Sequence, residues 1–179
     1  MKELSLNILD ITGNSTKAGA QNIEITLTEE EGILTLTIKD DGCGMSEEMV
    51  KSVIDPFCTT RTTRKVGLGV PFLKLAAEQT GGYIDIKSST DEIDHGTTVT
   101  AVFHTDHIDF VPLGDIVSTI TTIIQGAPDR DFVYTHKTET LSVYLDTKEL
   151  REVLGDVSLA ETEVIIWIAE NLKEQYGIQ

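Results

Sequence analysis

Apolar positions along the chain recur at two spacings, near 3.6 residues and at 2, and the changes between them mark out the elements. Leu4, Ile8 and Ile11 share one helical face with Leu6 and Leu9 beside it, which predicts a helix over Leu4–Lys17 ended by Gly19. Ile23, Ile25 and Leu27 then alternate with polar residues. Leu34, Leu36 and Ile38 do the same after Glu29-Glu30-Glu31-Gly32, so the two runs read as an antiparallel hairpin. Ser46 followed by Glu47, Glu48 and Met49 is an N-cap hydroxyl with acids in the first turn, and the helix it opens stops before Asp55-Pro56.

Residues from Pro56 to Gly69 follow neither period and read as a loop. Val70 to Gln79 is helical up to Gly81-Gly82. Tyr83 to Ile86 and Thr98 to Phe103 are strands, with a polar turn from Ser88 to Gly96. The order helix, two strands, helix, long loop, helix, two strands predicts an α+β two-layer sandwich, an antiparallel or mixed sheet with helices on one face.

Beyond Phe103 the pattern weakens but continues. Leu113 to Ile124 reads as a helix broken by Gly126-Ala127-Pro128. Phe132–Tyr134 and Leu141–Leu145 read as a second hairpin, followed by a short helix over Thr147–Leu154 and a longer one over Ser158–Tyr176. Val164, Ile165, Ile168 and Leu172 form a stripe on the last helix, beside Trp167. The expected division is therefore a domain over residues 1–104 and an α/β extension over 105–179, read as a partner-docking or oligomerisation element.

Composition narrows the function. The 179 residues hold 30 acidic and 14 basic side chains, a net charge of −16. Such a chain does not suit nucleic acid or an anionic membrane, both of which select clustered Lys and Arg. No apolar run is long enough to span a bilayer and the N-terminus lacks a signal peptide's uncharged stretch, so a cytoplasmic protein is expected. The two cysteines, Cys43 and Cys58, fit no zinc spacing.

Four clusters in the first hundred residues carry chemistry. Asp10, Asn14 and Lys17 share one face of the first helix, where a carboxylate, an amide and an ammonium could position a water, hold Mg²⁺ and contact phosphate; a solvated polar face is the alternative. Asp40-Asp41-Gly42-Cys43-Gly44 follows a strand, where the carboxylate can accept from an exocyclic amine and the glycines allow a flat ligand close approach. A tight glycine turn without ligand is the other reading. Asp55-Pro56-Phe57-Cys58-Thr59-Thr60-Arg61 opens the long loop, and Gly67-Leu68-Gly69 runs into a helix whose free amides suit phosphate. Charge sharpens this reading: from Pro56 to Ala77 there is no acidic residue, yet Arg61, Arg64, Lys65 and Lys74 fall there. Residues 1–104 in all carry 16 acidic and 9 basic groups, and 105–179 carry 14 and 5. A cationic window in an acidic chain is where a polyanion would be drawn.

In order, these clusters resemble the N, G1, F and G2 boxes of the GHKL superfamily of gyrase, heat-shock chaperone ATPases, histidine kinases and MutL, most closely the catalytic domain of sensor histidine kinases. Asp55–Arg61 resembles the kinases' "EPFFTTK", Gly67-Leu68-Gly69-Val70 their "GLGL", and Gly96-Thr97-Thr98-Val99 their "GTTF". The resemblance covers residues 1–104 and implies a Bergerat fold holding ATP under a lid. By position, Asn14 is similar to the Mg²⁺-chelating Asn and Lys17 to a phosphate-contacting base. Asp40 matches the adenine-reading carboxylate with Gly42 and Gly44 beside it, and Thr97 the hydroxyl near it. Gly67 and Gly69 match the lid glycines, and Arg61 lies in the lid. Asp10 takes the place of the general base, a Glu in the hydrolysing members.

Met1 lies nine residues ahead of Asp10, and none of His95, His104, His107 or His136 lies in a His-Glu/Asp-x-x-x-Pro pattern. The resemblance therefore implies phosphoryl transfer from Mg-ATP to a separate phosphoacceptor or regulatory protein rather than autophosphorylation. Alternatives are an ATP-dependent conformational switch of the gyrase and MutL type, with self-association into a homo-oligomer, and a non-catalytic ATP-binding module. Cys43 and Cys58, both within these motifs, are either small hydrophobes or redox-sensitive thiols.

Overall fold

The computed structural model describes residues 3–54 and 68–178. Its elements are α1 (Leu4–Lys17), β1 (Asn22–Glu30), β2 (Ile33–Asp40), α2 (Glu47–Ile54), α3 (Gly69–Gln79), β3 (Tyr83–Thr90), β4 (His95–His104), α4 (Ile116–Gly126), β5 (Asp131–Lys137), β6 (Ser142–Asp146), α5 (Thr147–Leu154) and α6 (Thr162–Tyr176). Six strands form one sheet in the order β3-β4-β2-β1-β5-β6. All neighbours are antiparallel except β1 and β5, which run parallel, so the sheet is mixed.

Alternation decides which face is covered, because successive strand side chains point to opposite sides. Ile23, Ile25 and Leu27 on β1 lie opposite Asp40, Ile38 and Leu36 on β2, and next to Phe132, Tyr134 and His136 on β5. Val99, Ala101 and Phe103 continue the same face on β4, and Val143 and Leu145 on β6. All these residues are buried. The opposite face is polar: Thr135, Thr26, Thr37 and Thr100 form one cross-strand row on neighbouring strands. The helices therefore gather on the apolar face, and the α+β sandwich expected from the sequence is the fold observed.

The buried stripe of α1, Leu4, Ile8, Ile11 and Ser15, repeats at three and four residues. Helix α4 packs against both α1 and α6. Asp115 caps it, with Oδ1 accepting from the Ser118 N–H at 2.9 Å and Oδ2 from the Ser118 hydroxyl at 2.6 Å. Ser46 plays the capping part expected of it, accepting from the Met49 N–H at 3.3 Å. The turn expected over Ser88–Gly96 is shorter than the polar sequence suggests, since β3 runs to Thr90 and β4 begins at His95. The hairpin expected after residue 126 forms as β5 and β6, and its place is informative. Pairing of Asn22–Thr28 with Asp131–Lys137 joins it to the sheet that Asp40 ends.

Candidate functional site

Asp40 is the last residue of β2 and, by alternation, points to the covered face, where it is 9% exposed. A carboxylate there is costly unless its oxygens are hydrogen-bonded. Oδ2 accepts from the Ser15 hydroxyl at 2.6 Å, and Oδ1 from the Gly42 N–H at 2.9 Å. Ser15 reaches it because it follows Ile11 by four residues on the buried stripe of α1. Each carboxylate oxygen keeps lone-pair capacity for a further donor. Thr97 lies directly opposite Asp40 on β4.

The loop after Asp40 is held from three sides. The Cys43 N–H donates to the Ala18 carbonyl at 3.0 Å, and the Met45 N–H to the Ser88 hydroxyl at 2.8 Å. Ser88 in turn donates to the Gly96 carbonyl at 3.0 Å and lies 2.8 Å from the Thr97 hydroxyl. His95 Nδ1 lies 2.7 Å from the Gly42 carbonyl; a carbonyl only accepts, so that nitrogen carries a proton. Asp41 ties the loop to the start of β1, accepting from the Gln21 and Asn22 N–H groups at 2.7 and 2.9 Å and from the Asn22 amide at 2.6 Å. Burial alone would raise the Asp41 pKa, but these donors hold it below the ordinary 3.8.

The glycines of the loop answer first to close neighbours within the chain itself. Gly44 has φ +68°, and a Cβ built there would lie 1.8 Å from the Ser89 carbonyl oxygen. At Gly42 a Cβ would lie 2.9 Å from the Ala18 Cβ and 3.0 Å from Asp40 Oδ1.

On α1, Asp10 and Lys17 are exposed and Asn14 is half-buried. Gly69, at the start of α3, comes up against Asp10: a Cβ there would sit 2.9 Å from the Asp10 Cβ. Asp40, Gly42, Gly44 and Thr97 thus meet beside Ser15, the neighbour of Asn14, while Asp10 meets the start of α3. Lys74 pairs with Glu78 at 3.8 Å along its own helix. Arg61 and Gly67 lie outside the described residues, as do Cys58, Arg64, Lys65 and the Asp55–Arg61 motif. Cys43 is exposed. Among the described residues no group of three or more His, Cys, Asp or Glu side chains could hold a metal ion.

Sequence reasoning gave no role to Ser15, Ser88 or His95. Ser15 had a signal, a hydroxyl four residues after Ile11 on the helical face that Leu4, Ile8 and Ile11 share. Ser88 and His95 had none, because they act through the pairing of β3 with β4 and through the loop packed against it.

Comparison with known proteins gives three results. The sequence model described as histidine kinase-, DNA gyrase B- and HSP90-like ATPase matches residues 1–107. The Sensor protein SrrB of Staphylococcus aureus is 37% identical over 103 residues, 55% of this chain and 17% of that protein, so the chain spans under a fifth of this relative's length. Among solved structures, the Aquifex aeolicus MutL ATPase domain complexed with ADP overlays with TM-score 0.53 at 13% identity, covering 100% of this chain and 70% of that one. The N-terminal domain of a DNA repair protein overlays with TM-score 0.54 at 16% identity, covering 80% and 53%. At these identities the two structures speak to the fold alone. Among the described residues no helix is long and apolar enough to cross a membrane.

Proposed function

The chain belongs to the histidine kinase-, DNA gyrase B- and HSP90-like ATPase family, and from that premise we propose that it binds Mg-ATP beside Asp40 and transfers the terminal phosphoryl group to a separate protein. The observation that carries this reading is the buried Asp40 carboxylate, held by Ser15 and Gly42 at the end of β2. A carboxylate fixed in this way reads an adenine by accepting from its exocyclic amine, with Thr97 opposite as a second polar contact.

Asn14 would supply an oxygen donor of the kind that a hard divalent cation prefers. Mg²⁺, when bound, neutralises charge on the transferring phosphoryl group. Lys17, one further turn along α1, faces a phosphate from the same side. The roles of Gly69, at the N-terminus of α3, and of Arg61 and Gly67 follow the family pattern: backbone amides and a cation around the phosphates. Asp10 takes the base position, with a side chain one methylene shorter than Glu.

Protein phosphorylation is favoured over simple hydrolysis by the 37% identity to a sensor protein across the nucleotide-binding part. The test is incubation of purified chain with γ-labelled ATP and a cell extract. Label on a partner protein, absent from a chain carrying Asp40→Asn, supports the reading; steady release of labelled phosphate with no labelled protein overturns it. A second reading, an ATP-driven switch acting through residues 105–179, is favoured by the pairing of β5 with β1, which builds that segment into the nucleotide-binding sheet. It requires the mass in solution to change on adding a non-hydrolysable ATP analogue, and an unchanged mass excludes it.

A further inference from the structure

Strands β3 and β6 are the two edges of the sheet, and the chain finishes them differently. At β6 the Gln175 side chain of α6 lies against the strand. Its Oε1 accepts from the Tyr144 N–H at 2.8 Å and its Nε2 donates to the Tyr144 carbonyl at 3.0 Å. A further bond from Nε2 to Asn171 Oδ1 at 2.7 Å orients the amide. Main-chain groups that another strand would take are thereby occupied, a common way of closing an edge.

At β3 the eight residues Tyr83–Thr90 pair with β4 on one side, and among the described residues no strand pairs with the other. The strand holds no proline or glycine. Ile84 and Ile86 point to the core face but stay half-buried, whereas Ala101 and Val99 directly opposite them on β4 are 0% and 6% exposed. Among the described residues the sheet therefore ends at β3, with no strand on its outer side and with half-buried isoleucines.

We propose that the β3 edge is a homodimer interface, in which β3 of two copies pairs antiparallel about a two-fold axis at Ile86 and continues the sheet from one copy into the other. Charge selects both the occupant and the register. A two-fold axis perpendicular to the sheet keeps the two core faces on one side, so inward residues must oppose inward ones. Centring on Asp85 or on Lys87 sets like charges against each other, and centring on Ile84 or Ser88 leaves much of the strand unpaired. Centring on Ile86 puts Ile86 against its own copy and Asp85 against the second copy's Lys87, twice by symmetry. Within one chain the Lys87 ammonium lies 3.9 Å from Asp85, with side chains 83% and 51% exposed. An exposed pair of this kind is weak, so exchanging it for an intermolecular one costs little.

The test is sedimentation equilibrium over a concentration series for the intact chain, Asp85→Lys, Lys87→Asp, the double variant, and an equimolar mixture of the two single variants. The wild type is expected to dimerise. Each single variant sets like charges opposite at two positions and should weaken the dimer by roughly tenfold or more. The double variant restores opposite charges and should dimerise like the wild type. The mixture should form a heterodimer, since every contact across its interface is again of opposite sign. A monomeric wild type overturns the proposal. So does a dimer that the single variants leave unchanged, or a mixture no tighter than its components. Circular dichroism of each variant keeps a folding defect from passing for a lost interface, and the ATP affinity of the single variants, which lie away from Asp40, should match the wild type.

Discussion

Replacing Gly44 by alanine tests how tightly the loop after Asp40 is built against the β3–β4 hairpin. Two costs add. A non-glycine residue at φ +68° carries left-handed strain of roughly 1–2 kcal/mol. The new methyl would also fall 1.8 Å from the Ser89 carbonyl oxygen and 2.6 Å from its carbon, so backbone must move. Overpacking of that kind costs roughly 1–3 kcal/mol. The expected total is about 2–5 kcal/mol, and at roughly 2–4 °C per kcal/mol for a chain of this size the melting temperature should fall by about 4–20 °C. Gly19 supplies the control: its φ is +81°, but a Cβ there meets nothing within 4 Å. Gly19→Ala should therefore show the strain alone, a fall of about 2–8 °C. Differential scanning calorimetry of the two variants checks the difference. Equal losses, or a smaller one for Gly44→Ala, would refute the claim that the Ser89 carbonyl occupies the space beside Gly44.

Two further outcomes follow from the same site. Ser15→Ala removes the donor to Asp40 Oδ2 and leaves a buried carboxylate half-satisfied, so urea unfolding should show a loss of about 1.5–3 kcal/mol; a loss under about 0.5 kcal/mol would mean the bond contributes little. Asp41 is held below 3.8 by its donors, so its contribution to stability is complete above that value and is lost as pH falls through the lower folded one. Urea midpoints measured between pH 6 and pH 2 should fall more steeply for the wild type than for Asp41→Asn, and parallel curves would contradict the assignment.

Where local chemistry decided the structure, the sequence was readable. The alternation of Ile23, Ile25 and Leu27 with polar residues placed β1, and Ser46 before Glu47 placed the start of α2, because period and capping act over a few residues. Asp40 stood out for the same reason, as a carboxylate where a strand ends before two glycines, and Asn14 as an amide four residues from Asp10 on one helix face; Thr97 entered through the resemblance of Gly96-Thr97-Thr98-Val99 to the family's motif. What stayed hidden depends on pairing between distant segments. Nothing within Asp131–Lys137 shows that it runs parallel to β1, so the sequence places a C-terminal hairpin without showing that it joins the sheet there. The Ser15 hydroxyl looked like one more helix residue until Asp40, 25 positions later, was set against it. Gly44 read either as room for a flat ligand or as a tight turn, and only the structure shows the Ser89 carbonyl lying where a side chain would be.

The central claim is that the buried carboxylate at position 40 reads the base of ATP. Calorimetric titration of Mg-ATP into the wild type and into Asp40→Asn tests it most directly, with circular dichroism confirming that both are folded. Loss of one charge-assisted hydrogen bond should weaken binding by roughly ten- to a hundredfold, and affinities agreeing within about twofold would contradict the account.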